Sequence, residues 1–298
     1  MKIALTTPTG NIGSKLADIL LQSPDVQLTV LARNPKKVEH LAARGARVVG
    51  GDQLDPASVN STVGGAEVLF WLTGIDYTTT DVRAHYNRFA DAAAAVLRQH
   101  PQLRIVHLSS VGAELSERTG PIKGLYDAEQ KLNAAGADVT HLRANYFMEN
   151  VLSSLPTIVH DGAIYSAVPG SVSLRQVATA DIAAAAAHYL LKGPSGQHVV
   201  DISGPEKITF DQVAAALSAA IGVPVKHVQL PPDVLLSALT ANGLSQDLAR
   251  QLVEMQEAIA AGMLHAVGDA EWHGDIRFAQ FAEGIVTPAY RQVAKKLA

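Results

Sequence analysis

Two features of this chain have the residue types and spacing for chemistry: a loop, Thr7-Pro8-Thr9-Gly10-Asn11-Ile12-Gly13, and an arginine, Arg33, about twenty positions beyond it. The loop leaves an apolar run at residues 3–6 and opens a helical pattern at 12–22. Glycines at such a junction permit a tight turn and let backbone approach a pyrophosphate, while the helix start supplies N–H donors and a positive dipole end. An acid at the position of Arg33 would accept hydrogen bonds from the ribose hydroxyls of NAD(H). An arginine there accommodates the 2′-phosphate of NADP(H). Lys37 follows one helical turn later, and two cations suit a phosphomonoester. The expected cofactor is therefore NADP(H) in preference to NAD(H). Thr7 stands where a Gly-x-x-Gly-x-x-Gly loop has its first glycine, and a β-branched side chain there is expected to crowd the turn. An ordinary strand-to-helix turn that binds nothing is the competing reading of the loop.

The elements that must position these residues follow from hydrophobic patterning. Runs at 3–6, 28–32, 47–49, 68–73 and 104–109 read as buried strands, and 12–22, 35–44, 56–63 and 82–99 as helices. Asn34 before Pro35 and Asp55 before Pro56 are caps followed by proline at the first helical position. Strands alternating with helices in this way predict an α/β fold, a Rossmann-type doubly wound parallel sheet. Further on, the pattern predicts a helix at 126–135 ended by Gly136, a strand at 139–142, a short helix at 145–152 and a strand at 174–177. An alanine-rich helix at 181–191, strands at 198–202 and 225–229, and helices at 210–221, 232–241, 246–262, 278–282 and 287–297 complete it. The expected organisation is a dinucleotide-binding core over 1–150. A smaller, mostly helical substrate region over 151–298 contributes strands and helices that complete the core. The ligand cleft is expected between them, at the carboxyl ends of the strands.

Composition narrows the function classes. With 298 residues, 48% of them hydrophobic, the chain can bury a sizeable core. A net charge of −4 argues against a dedicated nucleic-acid binder. The absence of cysteine excludes disulfides, thiolate metal sites and cysteine nucleophiles. The histidines, His85, His100, His107 and His141 among them, lack zinc-binding spacing, so no metal is expected; His107 and His141 fall within strands and read as core histidines. Residues 1–5 run straight into the Thr/Pro/Gly loop, too short for a signal sequence, and no apolar run reaches the ~18 residues of a membrane span. The expectation is a cytoplasmic protein with a small-molecule substrate and neither a nucleic-acid nor a membrane partner. Apolar residues at helical spacing around Glu254 and Met255 form either a cap or a dimer face, which leaves a homodimer or a protein partner open.

Several segments occur in a characteristic order: the loop at 7–13, Leu31-Ala32-Arg33-Asn34-Pro35, Gly51-Asp52, Leu69-Phe70-Trp71-Leu72-Thr73, residues 142–150, Ala180-Asp181-Ile182-Ala183 and Ser203-Gly204-Pro205-Glu206. Together they resemble the NmrA-like group of atypical short-chain dehydrogenases/reductases, over nearly the whole chain. That group includes NADPH-dependent quinone reductases, triphenylmethane reductases, isoflavone-reductase relatives and redox-sensing regulators. The resemblance implies that Thr7, Thr9, Gly10, Asn11, Ile12 and Gly13 hold the pyrophosphate, and that Arg33 and Lys37 hold the 2′-phosphate. Asp52 and Gln53 would flank the adenine, and Leu72, Thr73 and Gly74 would line the adenosine and ribose path. Ser109 and Ser110 would end the fifth strand beside the nicotinamide. Asn145, Tyr146 and Phe147 would lie near nicotinamide and substrate, simple packing being the competing reading of the last two. Tyr77, in the polar loop 75–80 after the fourth strand, is expected to meet substrate; that loop is a gate or a plain connector.

The proton-delivery apparatus departs from the wider pattern. Ordinary short-chain dehydrogenases use Tyr-x-x-x-Lys, where the lysine keeps the phenol acidic. Here Tyr126 is followed by Gln130, which carries no charge to lower a phenol pKa. Many NmrA-like proteins place a lysine or histidine four residues before the glutamate that matches Glu129; this chain has Leu125. Lys123, expected on the preceding loop, is within reach. Tyr126 and Lys123 are thus the candidate catalytic residues. A weak acid apparatus suits an activated acceptor, such as a quinone, an enone or a cationic dye, better than a simple ketone. The expected function is NADPH-dependent reduction of such an acceptor by direct hydride transfer. The alternatives are a non-catalytic NADP(H)-sensing regulator and a cofactor-independent isomerase or cyclase.

Overall fold

The computed structural model describes residues 1–136 and 138–297. In the first half β1 (Lys2–Thr6), α1 (Gly13–Leu20), β2 (Gln27–Ala32), α2 (Glu39–Ala42), β3 (Arg47–Gly50), α3 (Pro56–Val63), β4 (Val68–Trp71), α4 (Val82–Gln99), β5 (Arg104–Ser110), α5 (Ile122–Ala135) and β6 (Val139–Ala144) alternate. Then follow β7 (Tyr146–Phe147), α6 (Leu155–Asp161), β8 (Ala163–Ser166), β9 (Ser173–Val177), α7 (Thr179–Lys192), β10 (Gln197–Ser203), β11 (Lys207–Thr209), α8 (Phe210–Ile221) and β12 (Lys226–Gln229). The chain ends with α9 (Pro232–Ala241), α10 (Gln246–Ala260), β13 (Ala270–His273), α11 (Phe278–Phe281) and α12 (Thr287–Leu297).

The central sheet has eight strands in the order β13-β10-β6-β5-β4-β1-β2-β3. Every pairing within it is parallel. Strand order reverses between β1 and β4, and a doubly wound sheet opens its ligand crevice at that switch point, beyond the carboxyl ends of the strands. Alternation along each strand divides the apolar side chains between two cores. Ile3, Leu5 and Phe70 face one core with Leu16 and Leu20 of α1 and Ala185 and Ala186 of α7. Ala4, Leu69 and Trp71 face the other, with Ala93 and Leu97 of α4 and Leu132 of α5. The alanine runs are therefore close-packing surfaces. α5 lies so near α4 that a Cβ on Gly124 would run into Tyr86. Outside the sheet, β11-β9-β7 and β12-β8 form small ribbons beside a third core built on Phe278, Phe281, Ile158 and Leu217.

Local chemistry overrides the expected element bounds in four places. Residues 35–44 form no continuous helix: Asn34 accepts from Lys36 N, 3.1 Å, and a 3₁₀ turn at Pro35–Val38 precedes the short α2. Residues 145–152 begin extended, because Tyr146 and Phe147 pair with Gln176 and Val177, and then tighten into a 3₁₀ segment, Met148–Ser154. The fourth strand stops at Trp71. α5 starts at Ile122, so Lys123 stands in its first turn and not on a loop.

β5 and β6 also place His107 opposite His141 in the sheet interior, with their Nδ1 atoms 3.1 Å apart. Asn133 Oδ1 lies 3.0 Å from His141 Nε2, so that nitrogen donates, and His141 Nδ1 must accept from His107 Nδ1–H. Burial pushes both imidazoles down to about 3. Between that value and the ordinary 6.5, the unfolded chain binds protons that the folded chain does not. Stability is then full above about pH 6.5 and falls as the pH drops, by up to about 1.4 kcal/mol per pH unit for each histidine. Urea unfolding followed from pH 7.5 to 5 should show this slope, and His107→Leu should remove about half of it; a flat profile in the parent protein would contradict the assignment.

Candidate functional site

At the switch point, β1 hands the chain to α1 through a turn closed by Gly10 N–H donating to the Thr7 carbonyl, 3.1 Å. Gly13 packs so tightly on that carbonyl that a Cβ at position 13 would fall on the Thr7 oxygen. No side chain caps α1, and its first turn carries no acid, so its N-terminal dipole is free to act on an anion. Thr7 takes a left-handed backbone conformation, φ +57°, which accommodates the turn that the sequence expected it to crowd. Its Oγ1 is buried without a hydrogen-bond partner among the described residues.

A groove of about 940 Å³ runs from this loop past the ends of β2 and β4. Thr7, Thr9 and Gly10 form its floor at one end; Arg33, Lys37, Asp52 and Gln53 line it further out. Asn11, Ile12 and Gly13 sit behind this wall at the start of α1. Among the described residues, neither Arg33 nor Lys37 is paired with a carboxylate. Asp52 Oδ1 accepts from Leu54 N, 2.9 Å, and Gln53 Nε2 donates to the Leu72 carbonyl, 3.1 Å, which ties the far wall to the end of β4. The far side of the groove brings in Arg88, a cation that the sequence reading missed. The readable signal was its spacing from His85 on one face of α4, since residues three apart share a helix face. Tyr77 lines this groove and not the inner cavity.

The groove meets a second cavity at Leu72, Gly74 and Ile75, which line both. This inner cavity has a volume of about 470 Å³. Thr73, Ser109, Ser110, Asn145, Tyr146 and Phe147 line it, as do Tyr86 and Leu125. Leu252, Met255 and Ile259 of α10 close it from above, so the apolar stripe of that helix is a cap. No residue lining it is a lysine, arginine, histidine, aspartate or glutamate. Burial pushes Tyr86 up to about 12 and also raises Tyr146, so both phenols stay protonated at neutral pH.

Tyr126 and Lys123 are not on this wall. One helical face of α5 offers Ile122 and Leu125 to the cavity, and Lys123 points instead to α10, where Nζ meets Glu254 Oε2 at 2.8 Å. That lysine ties the cap down. Beneath the cavity, Ser109 donates to Glu129 Oε1, 2.6 Å. Arg143 clasps both oxygens of the same carboxylate, at 3.0 and 2.7 Å, and reaches Glu114 at 2.9 Å. Burial works against the guanidinium charge, but the Glu129 hydrogen bonds and charge outweigh it and hold Arg143 protonated. Glu129→Gln should therefore lower stability to urea by roughly 1.5–3 kcal/mol, because it removes the charge of the carboxylate that binds the buried arginine through both oxygens and leaves only Glu114 as an ion-pair partner. A loss below about 1 kcal/mol would show that Glu114 alone suffices.

The geometry fits a dinucleotide: a glycine-closed cradle at a helix start, an unpartnered hydroxyl in that cradle, and free cations where the groove leaves the sheet. Among the described residues there is no cluster of three or more histidine, aspartate or glutamate side chains to hold a metal, and no helix is long and apolar enough to cross a membrane. In comparison with known proteins, the model of the NmrA-like family matches residues 1–273. The chain is 28% identical over 280 residues to an NAD(P)H azoreductase of Xenophilus azovorans, covering 92% of this chain and 94% of that one. It is 27% identical over 263 residues to quinone oxidoreductase 2 of Escherichia coli, covering 88% and 89%. The crystal structure of an NADPH-dependent quinone oxidoreductase from Escherichia coli, complexed with NADPH, superimposes with a TM-score of 0.76 at 24% identity, covering 98% of this chain and 99% of that one.

Proposed function

The chain belongs to the NmrA-like family, and on that premise we propose that it is an NADPH-dependent oxidoreductase acting on a neutral, activated acceptor such as a quinone or an enone. The observation that carries this reading is the junction at Leu72, Gly74 and Ile75, where a groove lined by Arg33, Lys37 and Arg88 opens into a cavity with no charged wall. The azoreductase and quinone oxidoreductase relatives support it. Thr7, Thr9 and Gly10, with the start of α1, would hold the pyrophosphate, and Arg33 with Lys37 the 2′-phosphate. Bound there, NADPH would supply a hydride.

The chain's own residues orient and desolvate. Leu252, Met255 and Ile259 keep water from the cavity, which strengthens every polar contact inside it. Ser109 spends its proton on Glu129, so its oxygen is left as an acceptor. The Tyr86 and Tyr146 phenols keep their protons at neutral pH and are, with Thr73 and Asn150, among the donor-bearing residues that line the cavity and could meet developing charge on an acceptor oxygen. Neither has a lysine beside it to make it a strong acid, which favours acceptors whose reduced oxygens are protonated by water. A charged substituent entering this cavity would lose its hydration without gaining a counter-charge.

Calorimetric titration should show NADPH binding more tightly than NADH, and Arg33→Ala should cut that preference by about tenfold or more, the worth of a charge-assisted hydrogen bond. NADPH oxidation should proceed with neutral naphthoquinones or enones, with kcat/KM at least about tenfold lower for a sulfonated naphthoquinone. Binding without turnover across such a panel would return the protein to an NADP(H)-sensing role. No binding of either nucleotide would leave a cofactor-free isomerase or cyclase and end this reading.

A further inference from the structure

The inner cavity has no charged wall, so stabilisation of an acceptor oxygen has to come from neutral donors, and several of these are already engaged. Ser109 donates to Glu129 at 2.6 Å, Ser110 to the Val111 carbonyl at 3.0 Å, and the Asn145 amide to the Ile202 carbonyl at 3.1 Å. Thr73, Asn150, Ser173, Tyr86 and Tyr146 remain on the wall. A phenol, with an ordinary pKa of about 10, is a stronger donor than an aliphatic hydroxyl or an amide, which narrows the choice to the two tyrosines.

The two stand on different elements. Tyr146 belongs to β7, beside β9; its ring meets Phe210 edge-on with centroids 5.9 Å apart, and Asn150 hydrogen-bonds to its phenol. Tyr86 stands on α4 at the junction of groove and cavity. Its neighbour His85 reaches the Gly74 carbonyl oxygen with Nε2 at 2.8 Å, and Gly74 lines both spaces. The root of the Tyr86 side chain is clamped: its Cβ and ring fill the space that a side chain on Gly124 would need, and it shares a hydrophobic cluster with Val82 and Leu248. The phenol end is free. It has no hydrogen-bond partner among the described residues, yet it is not sealed as Trp71 Nε1 and Thr119 Oγ1 are, so the oxygen is open to the cavity that the residue lines.

We propose that the Tyr86 hydroxyl is the catalytic hydrogen-bond donor to the acceptor's oxygen, supplied from α4 where the sequence pointed to Tyr126 and Lys123 of α5. The assignment rests on the oxidoreductase reading above and singles out one donor among those that line the cavity. The hydride brings two electrons from NADPH to an acceptor carbon, and the electron pair displaced from the conjugated double bonds moves onto the acceptor oxygen. Tyr86 donates a hydrogen bond to that oxygen as its charge grows, and water supplies the proton that completes the reduced product. Burial pushes the phenol up to about 12, which suits a donor that keeps its proton. A clamped ring with a free hydroxyl is the arrangement that stabilises developing charge without reorganising.

Tyr86→Phe removes the donor and keeps the ring that packs against Gly124; Tyr146→Phe is the matched comparison. With a neutral enone or naphthoquinone, Tyr86→Phe should lower kcat about tenfold or more and change KM by less than about threefold, while Tyr146→Phe should stay within about threefold of the parent in both. Calorimetric NADPH affinity and the melting temperature should match the parent in both variants, which shows that the groove and the fold are intact. A second readout needs no turnover: the infrared carbonyl stretch of 1-tetralone bound together with NADP+ should lie at lower frequency in the parent and in Tyr146→Phe than in Tyr86→Phe. If Tyr86→Phe keeps either the parent's kcat or its carbonyl frequency, or if Tyr146→Phe loses as much kcat, this assignment is overturned while the proposed function stands. If the parent itself oxidises NADPH with no acceptor of the panel, both fall together.

Discussion

The close approach of α1 to the end of β1 is the constraint on which the rest of the structure depends. Gly13 has no Cβ, and only for that reason does the Thr7 carbonyl lie against its Cα. This contact aims the uncapped start of α1 at the switch point between β1 and β4. It also sets the depth at which Leu16, Ala17 and Leu20 sink into the core shared with Ile3, Leu5 and α7. A larger residue at position 13 would lift the helix off the sheet and turn its dipole from the groove in one movement. The packing of α1 and the direction of its dipole are thus one requirement at this point of the chain.

The inner cavity depends on a different device, a set of ties that hold an apolar roof over a polar floor. α10 is anchored to the core side by Lys123 on Glu254 and by Asp247 Oδ2 accepting from Val82 N at 2.8 Å. Gln256 Oε1 accepts from Ala167 N at 2.6 Å and fixes its other flank. Below, Arg143, Glu129 and Glu114 bury their charges in one another and present only the Ser109 oxygen toward the cavity. Charged groups are close to the site on both sides, and they are consumed in holding its walls. This explains why a lysine and a tyrosine that look catalytic in the sequence stand outside the cavity.

Much of the architecture was legible in the sequence because a parallel sheet covered on both faces writes its strands as unbroken apolar runs. Residues 3–6, 28–32 and 104–109 show this plainly. The cradle and Arg33 were legible for a related reason: the motif is local, so spacing along the chain is spacing in space. Arg88 and Tyr86 were not, because they reach the site from α4, and only the packing of α4 against α5 at Gly124 decides which face of that helix looks inward. The same uncertainty of helical phase misplaced Tyr126 and Lys123, whose neighbours Ile122 and Leu125 face the cavity instead. β8 and β13 escaped because strands of four residues are too short to set a period, and β13 is largely exposed as well.

The division of charge between the two cavities gives the site its chemical character. Arg33, Lys37 and Arg88 line the outer groove together with Asp52 and Asp76, whereas the inner cavity is lined by hydroxyls, amides and hydrocarbon. Leu72, Gly74 and Ile75 at the end of β4 are shared by both and mark where the lining changes from charged to uncharged. Binding energy gained far from the reacting atoms is what holds reactants in register in such two-part sites. In the neutral end the roof of α10 excludes water, and a weak donor such as a phenol counts for more there than it would in solvent. The geometry therefore places the charged side chains in the groove and low polarity in the cavity.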